Sequence, residues 1–208
     1  MNLTEKRDIF KKFYTPVGVA FFKLNISANF VTFLSLLMGT FAALAYYKGK
    51  LITAASFLLV SGLLDLTDGT VARLSGKPTK FGAVFDWIAD KWVDGLILGV
   101  IGYKYANPFW ATLAVTTSLL HSFIKPVVYS EIGYQVKVKG KIQDPLEGIG
   151  FFGRPETHLA IIIFTILEKI HIPIGLNYGI KVITILTSLS LLSRIIYLYK
   201  NYGRVYDE

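Results

Sequence analysis

Six long apolar stretches divide the chain, at 29–47, 52–75, 81–103, 107–128, 157–176 and 178–199. Each is close to the roughly 20 residues that an α-helix needs to cross the hydrocarbon core of a bilayer. Helical periodicity divides them no further, because helices of a membrane bundle are apolar all round. The pattern predicts an all-α integral membrane protein of six transmembrane helices, with 1–208 as one domain and 29–199 as its bundle. Ahead of the first stretch, Lys6, Arg7, Lys11 and Lys12 stand among Phe10, Phe13 and Tyr14, so residues 1–25 are expected to hold an amphipathic helix on the membrane surface. This segment has neither the apolar region nor the cleavage site of a signal peptide, and is read as part of the protein. Pro108 and Pro155 fall near predicted helix starts, where proline is tolerated. The polar stretch 129–156, with Gly140, Pro145, Gly148, Gly150 and Gly153, is expected to be an ordered loop with a short interfacial helix.

Composition agrees with a membrane protein: 53% of residues are hydrophobic, 17% are charged, and the mean hydropathy is +0.50. The absence of cysteine excludes a disulfide scaffold and any thiolate metal site. The net charge of +8 is unevenly placed. Fourteen of the 22 Lys and Arg residues lie on the side of the N-terminus, the 73–80 turn, the 129–156 loop and the C-terminus, against five on the other side. Lys and Arg accumulate on the cytoplasmic side, so both termini are expected in the cytoplasm and the protein in the cell membrane. Basic residues that follow this rule suit an anionic leaflet and do not point to nucleic acid.

Acids are the anomaly. Asp65, Asp68, Asp86, Asp90 and Asp94, five of the fourteen, fall within the second and third apolar stretches. A carboxylate at mid-membrane costs about 2.5–3.5 kcal/mol even on an insertion scale, so the group needs compensating charge. Only Arg73, Lys77, Lys80 and Lys91 are near in sequence. Asp65 and Asp68 are spaced i, i+3 and Asp86 and Asp90 i, i+4, so each pair projects from one helix face, and a short turn at 74–80 brings the two faces together. Four convergent carboxylates, with no His or Cys placed among them, form an oxygen cage for a hard divalent ion such as Mg²⁺ or Mn²⁺. Gly69 and Ala72 let a neighbour approach closely, and Arg73 presents a planar donor fork for phosphate. Acids in a membrane would also serve a cation channel or transporter, which would not need Gly69, Ala72, Arg73 and Gly82 in register.

The run Asp65-Leu66-Thr67-Asp68-Gly69-Thr70-Val71-Ala72-Arg73, then eight residues, then Gly82-Ala83-Val84-Phe85-Asp86-Trp87-Ile88-Ala89-Asp90 resembles the signature of the CDP-alcohol phosphotransferases, D-x2-D-G-x2-A-R-x8-G-x3-D-x3-D. All eight fixed positions are present. The resemblance implies a six-helix membrane enzyme, a homodimer, that displaces CMP from a CDP-linked alcohol with a second alcohol, using two Mg²⁺ or Mn²⁺ ions. It implies Asp65, Asp68 and Asp86 as principal metal ligands, with Asp90 beside the metal as general base. It also implies CDP contacts from Asp65, Asp68, Gly69, Ala72, Arg73 and Gly82, with Thr79 as helper. Asn29 and Thr32 resemble the family's Asn-x-x-Thr element beside the nucleotide, although Asn29 would equally cap the first helix and Thr32 bond its own backbone. Asp94 is expected to pair with Lys91 or Lys125 and stays outside the catalytic set.

Thr15-Pro16-Val17-Gly18 and Gly153-Arg154-Pro155-Glu156 resemble the branch that uses inositol phosphate as acceptor. That branch commonly shows Arg-x-Glu-Arg, and here Thr157 stands in place of the second arginine, followed by His158. The expected reaction is transfer of a phosphatidyl or archaetidyl group from a CDP-linked lipid to inositol phosphate. Glycerol phosphate as acceptor and CDP-inositol as donor, as in di-myo-inositol-phosphate phosphate synthases, are the alternatives. Lys125, Arg154 and His158 are the candidate acceptor contacts, with Lys137, Lys139 and Lys141 further basic residues on that side.

Overall fold

The computed structural model describes residues 7–76, 78–132, 137–138, 141–142, 146 and 148–203. It is a helical bundle of α1 (Arg7–Lys23), α2 (Ala28–Tyr47), α3 (Leu51–Ser75), α4 (Lys80–Ile101), α5 (Pro108–Glu131), α6 (Arg154–Lys169) and α7 (Leu176–Tyr202). Helix α4 runs on into one π-helical turn, Gly102–Ala106. The stretch 129–156 differs from expectation. Among its described residues there is an antiparallel pair, β1 (Lys137–Val138) with β2 (Lys141–Ile142), and no short interfacial helix.

Local chemistry sets the helix ends. Ser27 Oγ accepts from the Phe30 amide at 3.3 Å, Thr79 Oγ1 from Gly82 at 2.9 Å, and Asn107 Oδ1 from Trp110 at 3.1 Å, each satisfying a donor that a helix start leaves free. The cap of α2 is therefore Ser27, and Asn29 is not used for capping. Helix α3 stops at Gly76, whose φ of 63° is left-handed and favours glycine. The fifth apolar stretch, expected as 157–176, is a 16-residue helix that ends at Lys169 before a turn in which His171 has φ 58°. That turn is pinned by Glu168, whose carboxylate accepts from the Leu176 amide at 2.8 Å.

Helices α2, α3, α5 and α7 are long and apolar enough to cross a membrane. Helix α4 carries Lys80, Asp86, Asp90, Lys91 and Asp94, and the 16 residues of α6 rise only about 24 Å. Large apolar side chains face outward on several helices, among them Phe33, Leu59, Leu63, Ile163, Leu189 and Ile195. So much exposed apolar surface is unfavourable in water but matches lipid, and the protein is a multi-pass membrane protein.

The interior is divided along its length. At one end, Tyr46 of α2, Leu58 of α3, Ile97 and Ile101 of α4, Ile161 of α6 and Ile180 of α7 form a dry core. Within it Tyr46 Oη and Thr165 Oγ1 share a hydrogen bond of 2.7 Å. Midway, Ser35 and Ser61 each donate from the hydroxyl to the other's carbonyl, at 2.9 and 2.8 Å, which locks α2 to α3 without an unsatisfied group. Towards the other end, the C-terminal half of α3, the N-terminal half of α4 and the start of α6 bring charged groups together.

Candidate active site

Asp65, Asp68 and Asp86 each direct a carboxylate oxygen so that the three atoms lie within 4.8 Å of one another. Asp68 is buried and the other two are half-buried. Two ligands on opposite sides of a Ca²⁺- or Mg²⁺-sized ion stand about 4–5 Å apart, so this spread fits a single hard cation held by oxygen alone. Thr32 Oγ1 donates to Asp68 Oδ2 at 2.6 Å and also approaches its own-helix Ala28 carbonyl at 3.1 Å. The backbone bond expected of Thr32 is thus present, and the shorter bond, which was not expected, fixes the Asp68 carboxylate.

A cavity of about 560 Å³ opens beside the three acids. Its lining includes Asn29, Thr32, Asp68, Gly69, Ala72, Thr79, Gly82 and Asp86, drawn from α2, α3 and α4. Gly82 is required by close approach: a Cβ there would sit 2.8 Å from Asn29 Oδ1 and 3.0 Å from Thr79 Oγ1. Arg73 is exposed and lies at the rim. Its Nη2 donates to Thr70 Oγ1 at 3.0 Å, and a Cβ on Gly69 would meet its Nη1 at 3.3 Å, so the guanidinium lies over the cavity's glycine. Thr70 in turn packs against Gly18 of α1, where a Cβ would lie 2.7 Å from the Thr70 methyl.

Asp90, the fourth acid of the motif, takes a different partner. Arg154 Nη1 lies 2.8 Å from Asp90 Oδ1 and 2.7 Å from Asp65 Oδ2, while Arg154 Nε lies 3.1 Å from Asp94 Oδ1. One guanidinium thus compensates three acids. Local reading of the chain missed this pairing, because Arg154 is 89 residues from Asp65, and a search for nearby cations stops at Lys91. Lys91 does pair with Asp94, at 3.1 Å, as expected, and His158 Nε2 donates to the same carboxylate at 3.0 Å. Arg154 Nη2 is buried without a hydrogen-bond partner.

Arg154, Asp94 and Thr157 line a second, small cavity of about 10 Å³ with Ser118, His121, Ser122, Gly153 and Thr187. That is room for about one water. Lys125 is half-buried on α5 and lines neither cavity. Lys139 lies outside the described residues, as do Lys6 and Lys77 of the expected basic set, and for Lys137 and Lys141 the backbone alone is described.

A family model described as CDP-alcohol phosphatidyltransferase matches residues 25–197. An archaetidylinositol phosphate synthase of Methanothermobacter thermautotrophicus is 30% identical over 124 residues, which is 59% of this chain and 62% of that relative. A phosphatidylinositol phosphate synthase of Corynebacterium glutamicum is 29% identical over 79% of this chain and 74% of its own. A bifunctional IPC transferase and DIPP synthase of Archaeoglobus fulgidus is 31% identical over 79% of this chain but 32% of its own length. The chain thus spans less than two thirds of the archaeal relatives it matches. Among solved structures, phosphatidylinositol phosphate synthase of Mycobacterium tuberculosis with CDP-DAG bound superposes with a TM-score of 0.73 at 21% identity, covering 92% of this chain and 96% of that one. The same enzyme in complex with manganese and citrate gives 0.74 at 22% identity, over 92% and 91%. At these identities the likeness is one of fold.

Proposed function

Because the chain belongs to the CDP-alcohol phosphatidyltransferase family, we propose that it transfers the phosphoalcohol group of a CDP-linked lipid to a hydroxyl of inositol phosphate and releases CMP. The observation that carries this reading is a cluster of three carboxylates, two of which, Asp68 and Asp86, line a 560 Å³ cavity, while the third, Asp65, is paired with Asp90 to the half-buried Arg154. The relatives named for inositol phosphate products support the choice of acceptor.

Asp65, Asp68 and Asp86 would hold Mg²⁺ or Mn²⁺, with Asp90 completing a two-ion site, and the all-oxygen donor set fits such ions. When bound, they supply positive charge for the pyrophosphate and for the departing CMP. Asn29, Thr32, Gly69, Ala72, Thr79 and Gly82 line the space that the CDP group would take, and Arg73, over Gly69, would donate to its phosphate. The acceptor hydroxyl oxygen attacks the phosphorus that carries the lipid alcohol. As that P–O bond forms, the P–O bond to CMP breaks, and the hydroxyl proton passes to Asp90. Arg154 would bind the acceptor's phosphate through its unpartnered Nη2, with His158, beside it on Asp94, and Lys125 of α5 as further basic candidates.

In this reading six helices, α2 to α7, cross the cell membrane within one domain, both termini lie in the cytoplasm, α1 lies at the interface, and the enzyme is a homodimer. The outward apolar side chains and the distribution of Lys and Arg support it. The test is CMP release from a CDP-linked lipid in Mg²⁺ with inositol phosphate, glycerol phosphate, serine or inositol as acceptor, and from CDP-inositol as donor. Turnover restricted to inositol phosphate is expected; turnover with glycerol phosphate alone, or with CDP-inositol alone, would replace this reading.

A further inference from the structure

The reaction so described leaves one buried carboxylate without a part. Asp94 is 5% exposed and lies one helical turn beyond Asp90 on α4. Its Oδ1 accepts from Arg154 Nε at 3.1 Å and from His158 Nε2 at 3.0 Å, and its Oδ2 accepts from Lys91 Nζ at 3.1 Å. Lys91 Nζ then donates to Ser122 Oγ of α5 at 2.9 Å. Asp94 is thereby fixed from three helices, its own α4, α5 through Lys91, and α6 through Arg154 and His158.

A guanidinium is planar, with its donors in a rigid fork. Arg154 has Nε held by Asp94 and Nη1 held by Asp65 and Asp90. Two fixed nitrogens fix the plane, and with it the direction of the third. That third nitrogen, Nη2, is the buried donor with no partner. A buried N–H without a partner is unfavourable unless something else fills the position, and the cavity of about 10 Å³ that Arg154 lines has room for one water-sized atom, a water or a single phosphate oxygen.

We propose that Asp94 is a positioning residue for the acceptor: by gripping Arg154 at Nε, braced by Lys91 and His158, it presents Nη2 to the phosphate of the acceptor alcohol. The inference rests on the reading of the acceptor as a phosphorylated alcohol. Asn at this position has one accepting and one donating edge, whereas the three neighbours all donate towards it. An amide therefore turns a donor against Lys91 or against Arg154 and His158, and the grip is lost while the shape is kept.

The experiment uses the full-length protein with Mg²⁺, CDP-linked lipid and inositol phosphate, and compares wild type with Asp94→Asn and Lys91→Met. Asp94→Asn should raise the acceptor KM about tenfold or more, the scale of one charge-assisted hydrogen bond, with the donor KM unchanged. It should raise the inhibition constant of inorganic phosphate in parallel. Lys91→Met, which removes the brace but not the grip, should move both in the same direction by less, and it carries the test alone if Asp94→Asn does not fold. Acceptor and donor KM rising together, or a lowered Tm with an unchanged acceptor KM, would overturn the proposal in favour of a packing role. If wild type turns over glycerol phosphate and not inositol phosphate, the choice of acceptor is wrong, and Asp94 is judged by the same KM comparison on glycerol phosphate. A wild type that prefers an unphosphorylated acceptor would overturn both.

Discussion

Arg154 Nη1 stands 2.8 Å from Asp90 Oδ1, so the carboxylate read as proton acceptor is ion-paired to the side chain read as acceptor anchor. In the proposed reaction the two roles are joined in one contact, and an acceptor phosphate seated on Arg154 would bring its own hydroxyls towards Asp90.

Removing Arg154 should therefore affect stability as well as turnover. Breaking a fully buried ion pair by deleting one partner costs about 3–5 kcal/mol; these pairs are partly exposed, which lowers the cost of each, but Arg154→Ala deprives Asp65, Asp90 and Asp94 together. Divalent ions can replace part of the lost charge. Mg²⁺ should raise the Tm of Arg154→Ala in detergent by more than that of wild type. Equal shifts would show that Arg154 and the metal do not share these acids.

Activity should vanish in chelator and return with Mg²⁺ or Mn²⁺. Asp65→Asn and Asp86→Asn each remove a full charge from the 4.8 Å triple, so calorimetric titration should find metal affinity lost in both. A chelator-treated protein that keeps full turnover would refute the metal reading.

For Asp90→Asn, donor binding in Mg²⁺ and turnover should separate. Asn cannot take a proton, so turnover should fall roughly 10²–10⁴-fold, the range for a positioned general base, while CDP-lipid still binds. Turnover within a few fold of wild type would move the base elsewhere.

Gly82→Ala offers a change that activity feels and the fold does not. Alanine is the better helix former by about 1 kcal/mol, but its methyl would lie 2.8 Å from Asn29 Oδ1 and push that side chain from the cavity wall. The donor KM should rise with no loss in Tm. An unchanged KM would remove Asn29 from the CDP contacts.

What was legible in the chain was what is local. The i, i+3 and i, i+4 spacings of Asp65, Asp68, Asp86 and Asp90, separated by a turn, were enough to place acids on two facing helices, and three of them do meet. Helix ends and distant partners were less accessible. Ser27 and Asn29 are both good capping residues, and only the geometry shows Ser27 in that role, with Asn29 lining the cavity. The apolar run at 157–176 hides a chain reversal at Lys169, because a short helix and its turn can be as apolar as a full span. Above all, the cation that balances Asp65, Asp90 and Asp94 comes from α6, and no periodicity connects residue 154 to residue 65.

That long separation has a consequence for how the protein is made. Helix α4 carries five ionisable residues, and its Asp94 leaves the ribosome 60 residues before the arginine that neutralises it. During that interval α4 is a poor substrate for lateral release into lipid, since the translocon scale penalises each uncompensated acid. Its entry into the bilayer should be delayed until α6 follows. A nascent chain stalled after Glu131 should leave α4 open to protease or to labelling from the aqueous side, and extension past Arg154 should close it. The ion pairs of the site would then act first as an insertion checkpoint, before any substrate is met.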